Sequence, residues 1–119
     1  IHARFESELF DRFRLRLTIA PPPMKPIASP RDFIFDTLIE GTRLTPPILA
    51  ADLEALGARD VYDDAYFEAF LVGSRPVLER RIGEAISATA AMLTGAWEAA
   101  GKPAAPATPP PQPPQRKRR

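Results

Sequence analysis

Two residues at the start of the chain, His2 and Glu6, have the types and the spacing of a metal-binding pair. They are four positions apart, so on a helix both side chains project from the same side and their polar ends can converge on one ion. A neutral imidazole nitrogen and a carboxylate oxygen are both good zinc donors, but a tetrahedral zinc site needs further ligands. The alternative is a frayed terminal histidine beside a solvated helix carboxylate, and the spacing fits both.

The composition restricts what the chain could catalyse by itself. It has 119 residues, enough for one small domain, with one histidine and no cysteine. The lack of cysteine excludes disulfides, thiolate zinc ligands and a thiol nucleophile. A single imidazole excludes self-contained sites that need two or more histidines, which include most zinc hydrolase centres. No stretch approaches the roughly 18 apolar residues that a membrane span needs.

Charge is distributed unevenly along the chain. All 15 acidic residues lie within 1–101, whereas several basic residues follow that range: Lys102, Arg116, Lys117, Arg118 and Arg119. An acidic body lacks the basic face of a folded nucleic-acid-binding domain, so any contact with a polyanion is expected from residues 116–119. Residues 102–119 are rich in proline and have no large apolar side chain, which predicts a disordered tail.

The sequence predicts an all-α domain over 1–101, with about five helices, before that tail. Phe5, Leu9 and Phe13 form one apolar stripe and predict an amphipathic helix over 2–13. In residues 14–19 apolar and polar side chains alternate, which fits a short strand or, as we favour, an extended segment laid over helices. Prolines within 20–30 predict a crossover without regular structure.

Start and stop signals predict four further helices. The first runs from Pro30 to about residue 43 after a Ser29 cap, and the second from Pro46 to Gly57. The third begins at Asp63 and Asp64 and is interrupted at 73–74, and the longest runs over 76–100.

Side-chain patterns predict which residues form the core. We expect the aromatic residues Tyr62, Tyr66, Phe67 and Phe70 in the core rather than around a ligand. We interpret Asp63, Asp64 and Glu68 as helix-start carboxylates rather than a cation site. Five residues keep helical spacing in 76–100 and are predicted to pack inward: Leu78, Ile82, Ile86, Leu93 and Trp97.

The run IHARFESELF resembles the segment that closes the active site of zinc-dependent phospholipase C enzymes. In that family a His-x-x-x-Glu pair, with an aromatic residue just before the Glu, donates to one zinc of a three-zinc cluster. His2, Phe5 and Glu6 match this pattern. The related single-strand-specific nucleases have a similar His-x-x-x-Asp, so Glu6 favours the phospholipase side. Residues 74–101 are similar to the family's final helix.

The resemblance covers roughly residues 1–101 and implies the C-terminal part of a bacterial zinc-dependent phosphodiester hydrolase, with an incomplete bundle. It implies that His2 and Glu6 are zinc ligands and that the substrate of the complete protein is a lipid or nucleic-acid phosphodiester. The family's upstream His, Asp and N-terminal Trp ligands have no counterpart here, so this chain alone is expected to be inactive. The family is usually exported. The alternative is a non-enzymatic helical interaction module with a Pro-rich basic tail.

Overall fold

The computed structural model describes residues 1–104, and this part of the chain is all-helical, as predicted, with no strand. It contains three α-helices: α1 (Leu9–Phe13), α2 (Pro30–Leu56) and α3 (Asp64–Ala99). A π-helical turn, Arg4–Glu8, precedes α1, and a 3₁₀ turn, Arg14–Arg16, follows it. Within the described range, none of the helices has the length and apolarity that crossing a lipid bilayer demands. Of the predicted tail, residues 105–119 lie outside the described residues.

The prediction of about five helices is wrong, because two of the predicted breaks do not occur. Helix α2 continues through Pro46 and Pro47, although an internal proline removes a backbone hydrogen bond and costs about 3 kcal/mol. Both halves of α2 contact the same partner helix. Arg80 of α3 donates to Glu40 at 2.9 Å before the prolines, and Ala51 packs against α3 after them. Tertiary packing therefore overrides the local stop signal.

Helix α3 likewise runs without a break through the predicted interruption at residues 73–76. A β-carbon on Gly73 would lie 2.8 Å from that of Ala51, so this glycine allows α2 and α3 to approach closely. Ser74 is buried, and its hydroxyl donates to the Phe70 carbonyl at 2.5 Å instead of capping a new helix. Gly73 and Ser74, which predicted a helix end, therefore serve close packing within a continuous helix.

Other predicted helix ends are confirmed. The Asp63 carboxylate accepts a hydrogen bond from the Tyr66 amide at 2.8 Å, which caps α3. Gly57 follows α2 with φ of 53°, a conformation that favours glycine. Ser29 precedes Pro30 as predicted, but its hydroxyl donates to Asp32 at 2.7 Å and caps no backbone amide.

Helices α2 and α3 form an antiparallel hairpin, and the core lies at its closed end, near the connecting residues 57–63. The N-terminal segment, residues 1–16, packs across this end. The core there consists of Leu9, Phe13, Ala51, Ala55, Tyr66, Phe67, Phe70, Leu71 and Leu78, with Phe5, Leu17, Ile48, Leu56 and Ile82 packed against it. The predicted stripe of the first helix is therefore confirmed, and so is the core position of three of the four predicted aromatics. The exception is Tyr62, which is 48% exposed because it precedes α3 and does not share its buried face.

Residues 17–29 form an extended strap that runs along α3 toward the open end of the hairpin. The Thr18 amide donates to Glu79 at 2.7 Å, and the Ser87 hydroxyl donates to the Pro22 carbonyl at 2.5 Å. Further along, the Ile27 amide donates to the Ala91 carbonyl at 3.0 Å. The interpretation of an extended segment laid over helices is therefore confirmed for residues 17–19, and the segment continues through the proline-rich crossover. Residues 14–16, predicted to be extended as well, form the 3₁₀ turn instead.

The strap also corrects the predicted inward face of α3. Ile86, Leu93 and Trp97 are 50%, 68% and 46% exposed, although Leu78 is buried and Ile82 partly buried. The buried positions of this half of α3 are small residues: Gly83, Ser87, Ala91 and Gly95. They are buried because the strap backbone lies on them, and only small side chains leave room for it.

Candidate metal-binding pair

The structure places the His2 and Glu6 side chains side by side, as their four-residue spacing predicts. Nδ1 of His2 is 3.2 Å from Oε1 of Glu6, and the two side chains are 84% and 59% exposed. Both polar groups therefore face solvent from the same side of the first helical turns. Imidazole nitrogen and carboxylate oxygen fit the donor preferences of zinc, and an ion would have access to both.

One member of the pair, Glu6, lies in a turn of unusual geometry. Glu6 belongs to the π-helical turn Arg4–Glu8, in which the Leu9 amide bonds the Arg4 carbonyl. Such turns are rare and frequently occur at functional sites. Phe5 points the other way and lies against the core, with its ring centroid 6.2 Å from that of Phe70. The first helical turns thus present two donors to solvent while the Phe5 ring anchors them against the core.

A second anchor of this turn, Arg4, was missed by the sequence reasoning. Its Nη2 donates to both carboxylate oxygens of Asp52, at 2.9 and 3.0 Å, and its Nε donates to the Tyr66 hydroxyl at 3.0 Å. The Tyr66 hydroxyl donates in turn to Asp52. The guanidinium also lies 3.9 Å from the centroid of the Tyr62 ring. We call Arg4, Asp52 and Tyr66 the clamp.

One sequence signal could have revealed the clamp. Ile48, Asp52 and Leu56 follow one another at intervals of four, so a carboxylate occupies the middle of an apolar helix stripe. Ile48 and Leu56 do pack against the core. A carboxylate among core-facing residues needs a charged or hydrogen-bonding partner. The sequence did not show that this partner is Arg4, because the two residues are 48 positions apart.

The pKa shifts within the clamp follow from burial and pairing. Burial acts to raise the pKa of Asp52, but the hydrogen bonds from Tyr66 and Arg4 outweigh it and hold this pKa below its ordinary value. Burial, reinforced by the bond to Asp52, raises the pKa of Tyr66 to about 12. At neutral pH the clamp is therefore a cation, an anion and a neutral phenol, a closed arrangement suited to holding structure.

An apolar groove begins beside the donor pair. It has a volume of about 700 Å³, and its lining includes Phe5, Glu6, Phe10, Ile48, Leu78 and Ile82. Its main charged group besides Glu6 is the guanidinium of Arg81, which donates to Glu84 at 2.7 Å. A smaller pocket of about 180 Å³ adjoins the groove and is lined by both His2 and Glu6. The donors therefore lie at the edge of an apolar surface.

The other acidic residues considered above are engaged elsewhere. Asp63 caps α3, Asp64 accepts from Arg12 at 2.6 Å, and Glu68 accepts from Arg16 at 2.6 and 3.0 Å. Across residues 1–104, no group of three or more His, Asp or Glu side chains is placed to hold a metal ion. His2 and Glu6 are thus two donors, fewer than a zinc site requires.

The fold and the site define an all-α hairpin with a strap, with an exposed His–Glu pair on its N-terminal segment. No family model, no curated protein and no solved structure matches the chain. A proposal of function therefore has to rest on the sequence motif and the geometry of the pair.

Proposed function

We propose that this chain is the C-terminal portion of a zinc-dependent phosphodiester hydrolase of the phospholipase C-like kind, in which His2 and Glu6 donate to one zinc. The observation that carries the proposal is the placement of the two donors, 3.2 Å apart, exposed and on an anchored turn. Because two donors leave a tetrahedral ion incomplete, the proposal assigns the remaining ligands to polypeptide outside this chain.

The chain's own residues supply binding and orientation in this proposal. Zinc ions in such a centre bind phosphodiester oxygens and activate a water molecule for attack. His2 donates as a neutral imidazole and Glu6 as a carboxylate, so each ligand must be deprotonated for the metal to bind. Because both belong to consecutive turns of one helical segment, a single structural element sets the position of both donors.

The exposed apolar surface supports the part of the proposal in which this chain packs against further polypeptide. Besides the groove, large apolar side chains are at least half exposed on both long helices: Ile34, Phe35, Leu38, Ile39, Leu53, Val72, Ile86 and Leu93. Single exposed apolar side chains are ordinary, but where they extend an apolar groove they mark an interaction surface. Ile34 and Leu38 precede the groove residue Gly41 by seven and three positions, so helical spacing continues the groove along α2.

Metal analysis tests the proposal in a longer protein that contains this chain together with the polypeptide preceding it. We expect several zinc ions per molecule, and one fewer after His2→Ala or Glu6→Ala. Glu8→Ala is the matched control, since it removes a carboxylate from the same turn and should leave the zinc content unchanged. Full zinc occupancy in both test variants would contradict the proposal.

Activity measurements address the substrate class. The longer protein should cleave a phosphodiester, and separate assays with phosphatidylcholine vesicles and single-stranded DNA distinguish a lipid from a nucleic-acid substrate. The 119-residue chain alone should show no turnover of a chromogenic phosphodiester, because it lacks most of the ligands. Zinc-dependent turnover by this chain would overturn the assignment of ligands outside it.

The exposed apolar helix faces also favour a second candidate, a non-enzymatic helical interaction module. In that case a longer protein would bind no zinc, and the apolar faces would serve a protein partner. Contact of residues 116–119 with a polyanion belongs to this candidate and stays a prediction, since these residues lie outside the described part of the chain. The metal analysis above separates the two candidates.

A further inference from the structure

We propose that Arg4 is a positioning residue for the metal-binding pair, holding the turn that carries His2 and Glu6 through its bonds to Asp52 and Tyr66. The inference rests on the proposed function for the identity of the two ligands. Arg4 itself touches neither the substrate nor the ion in this proposal.

The position of Arg4 in the turn is the first observation. It lies midway between His2 and Glu6, and its side chain contacts the hairpin while theirs face solvent. Asp52 belongs to α2 and Tyr66 to α3, so one side chain fixes the turn to both long helices. A rotation of the turn that redirected the donors would break all three hydrogen bonds of Arg4 at once.

Shielding from water distinguishes the Arg4–Asp52 pair from the other ion pairs of the N-terminal segment. The side chains of Arg4 and Asp52 are 18% and 14% exposed, against 40% and 93% for Arg12 and Asp64. Exposed pairs contribute little because water screens them and the side chains stay mobile. The Arg4 guanidinium, in contrast, is shielded and is held by two nitrogens to two partners, Nη2 to Asp52 and Nε to Tyr66, so it has one favourable orientation.

Apart from Arg4, the first helical turns are held mainly by the Phe5 ring, which packs against the core. Residue Ile1 is 38% exposed, and the Phe5 amide bonds its carbonyl at 2.9 Å. Terminal turns fray unless they are tied down. With the clamp released, His2 and Glu6 would have to be ordered when they bind an ion, and loss of an outer partner that orients ligands typically lowers metal affinity 10–100-fold.

A metal probe at positions 2 and 6 tests the inference in the 119-residue chain. In a Glu6→His background the two side chains form a His-x-x-x-His pair, which binds Zn²⁺ through its helical spacing whether or not Glu6 is a native ligand. Isothermal calorimetry with Zn²⁺ alone then measures how well the turn presents both positions. We expect Arg4→Met to weaken Zn²⁺ binding by about 10-fold or more, and Arg4→Lys to recover part of the loss.

Two further variants keep the result interpretable. Arg12→Met, which removes the exposed pair with Asp64, is the matched control and should leave Zn²⁺ affinity unchanged. If Arg4→Met does not fold, Tyr66→Phe removes only the hydroxyl and should weaken binding in the same direction. Unchanged affinity in the folded Arg4 or Tyr66 variant would overturn the positioning role.

The result is independent of the proposed function. A longer protein that purifies without zinc would overturn the hydrolase proposal, while the Glu6→His comparison would still decide whether Arg4 orients the turn. Conversely, equal Zn²⁺ affinities with and without Arg4 would show that the clamp does not orient the pair. His2 and Glu6 would still be candidate ligands.

Discussion

The two ends of the helical hairpin are held together in different ways. At the closed end, three aromatic side chains of α3, Tyr66, Phe67 and Phe70, are almost completely buried beneath the N-terminal segment. Toward the open end, α3 buries only small residues, and the backbone of the strap lies directly on them. The same helix therefore changes from packing by large side chains to packing by close backbone approach.

This difference bears on the candidate site, because the clamp that holds the segment of His2 and Glu6 belongs to the closed end. At the closed end the clamp ties the segment that carries His2 and Glu6 to the helices that form the apolar core. The open end leaves Ile86 and Leu93 exposed and depends on the fit of the strap. Precise sites are best built on such rigid supports, because ligand positions must be held closely.

The largest expected effect is a core truncation at the closed end. Phe70 is fully buried, so Phe70→Ala should lower the free energy of unfolding by about 3–5 kcal/mol, the usual range for such a cavity. Ile86→Ala, at a half-exposed position of the same helix, should cost about 1 kcal/mol or less. Urea denaturation measures both. Similar losses for the two variants would contradict the contrast between the ends.

A smaller effect is expected where the strap meets α3. A β-carbon on Gly95 would overlap the Ile27 carbonyl, so Gly95→Ala should displace the strap and cost about 1–3 kcal/mol, as overpacking does. Gly41 has no atom within 4 Å of an added β-carbon. Gly41→Ala is therefore the matched control and should stabilise the helix by about 0.5–1 kcal/mol.

Amide exchange reports on the same site. The Ile27 amide, which bonds the Ala91 carbonyl, should exchange faster in Gly95→Ala and at the original rate in Gly41→Ala. A Gly95→Ala variant with an intact strap and unchanged stability would show that backbone approach is not what holds the open end.

The smallest effect concerns the Tyr66 hydroxyl at the closed end. Tyr66→Phe should cost about 1.5 kcal/mol, the low end for hydrogen bonds to charged groups, because Arg4 and Asp52 stay paired with each other. The pKa of Tyr66 is raised to about 12 in the folded chain, against about 10 for an ordinary tyrosine. Folding thus favours the neutral phenol, so this contribution is complete below pH 10 and is lost as the pH rises from about 10 through 12.

Tyrosinate absorbance in a Tyr62→Phe background checks the titration, because Tyr66 is then the remaining tyrosine. We expect a midpoint well above pH 10, or ionisation that coincides with unfolding. In the Tyr66→Phe variant, the decline in unfolding free energy between pH 10 and 12 should be smaller. A midpoint near pH 10 in the folded chain would show that the hydroxyl is not shielded as described.

Much of the helical structure was predictable because its signals are local. Ser29 with Pro30, Gly57 and Asp63 mark helix ends through backbone conformation or capping within a few residues. The helix breaks predicted at Pro46 and Pro76 were wrong for the converse reason. A proline raises the local cost of a helix, but whether the helix continues depends on the packing of both its halves against a partner.

The candidate site was likewise predictable only where its signals are local. The four-residue spacing of His2 and Glu6 is local information, and it correctly predicted that the two side chains lie side by side. The clamp that orients their turn joins residues 48 and 62 positions apart. Such partners follow from the path of the chain, which the sequence pattern did not specify.

The sequence by itself determined the helical class, the apolar stripe of the first helix, the aromatic core and the facing of the two donors. Each follows from periodicity or from the conformational preference of single residues. Only the tertiary structure decided which face of α3 is buried. Ile86 and Leu93 have the stronger hydrophobic pattern, yet Gly83 and Gly95 are covered instead, because an extended backbone can lie only where no side chain stands in its way.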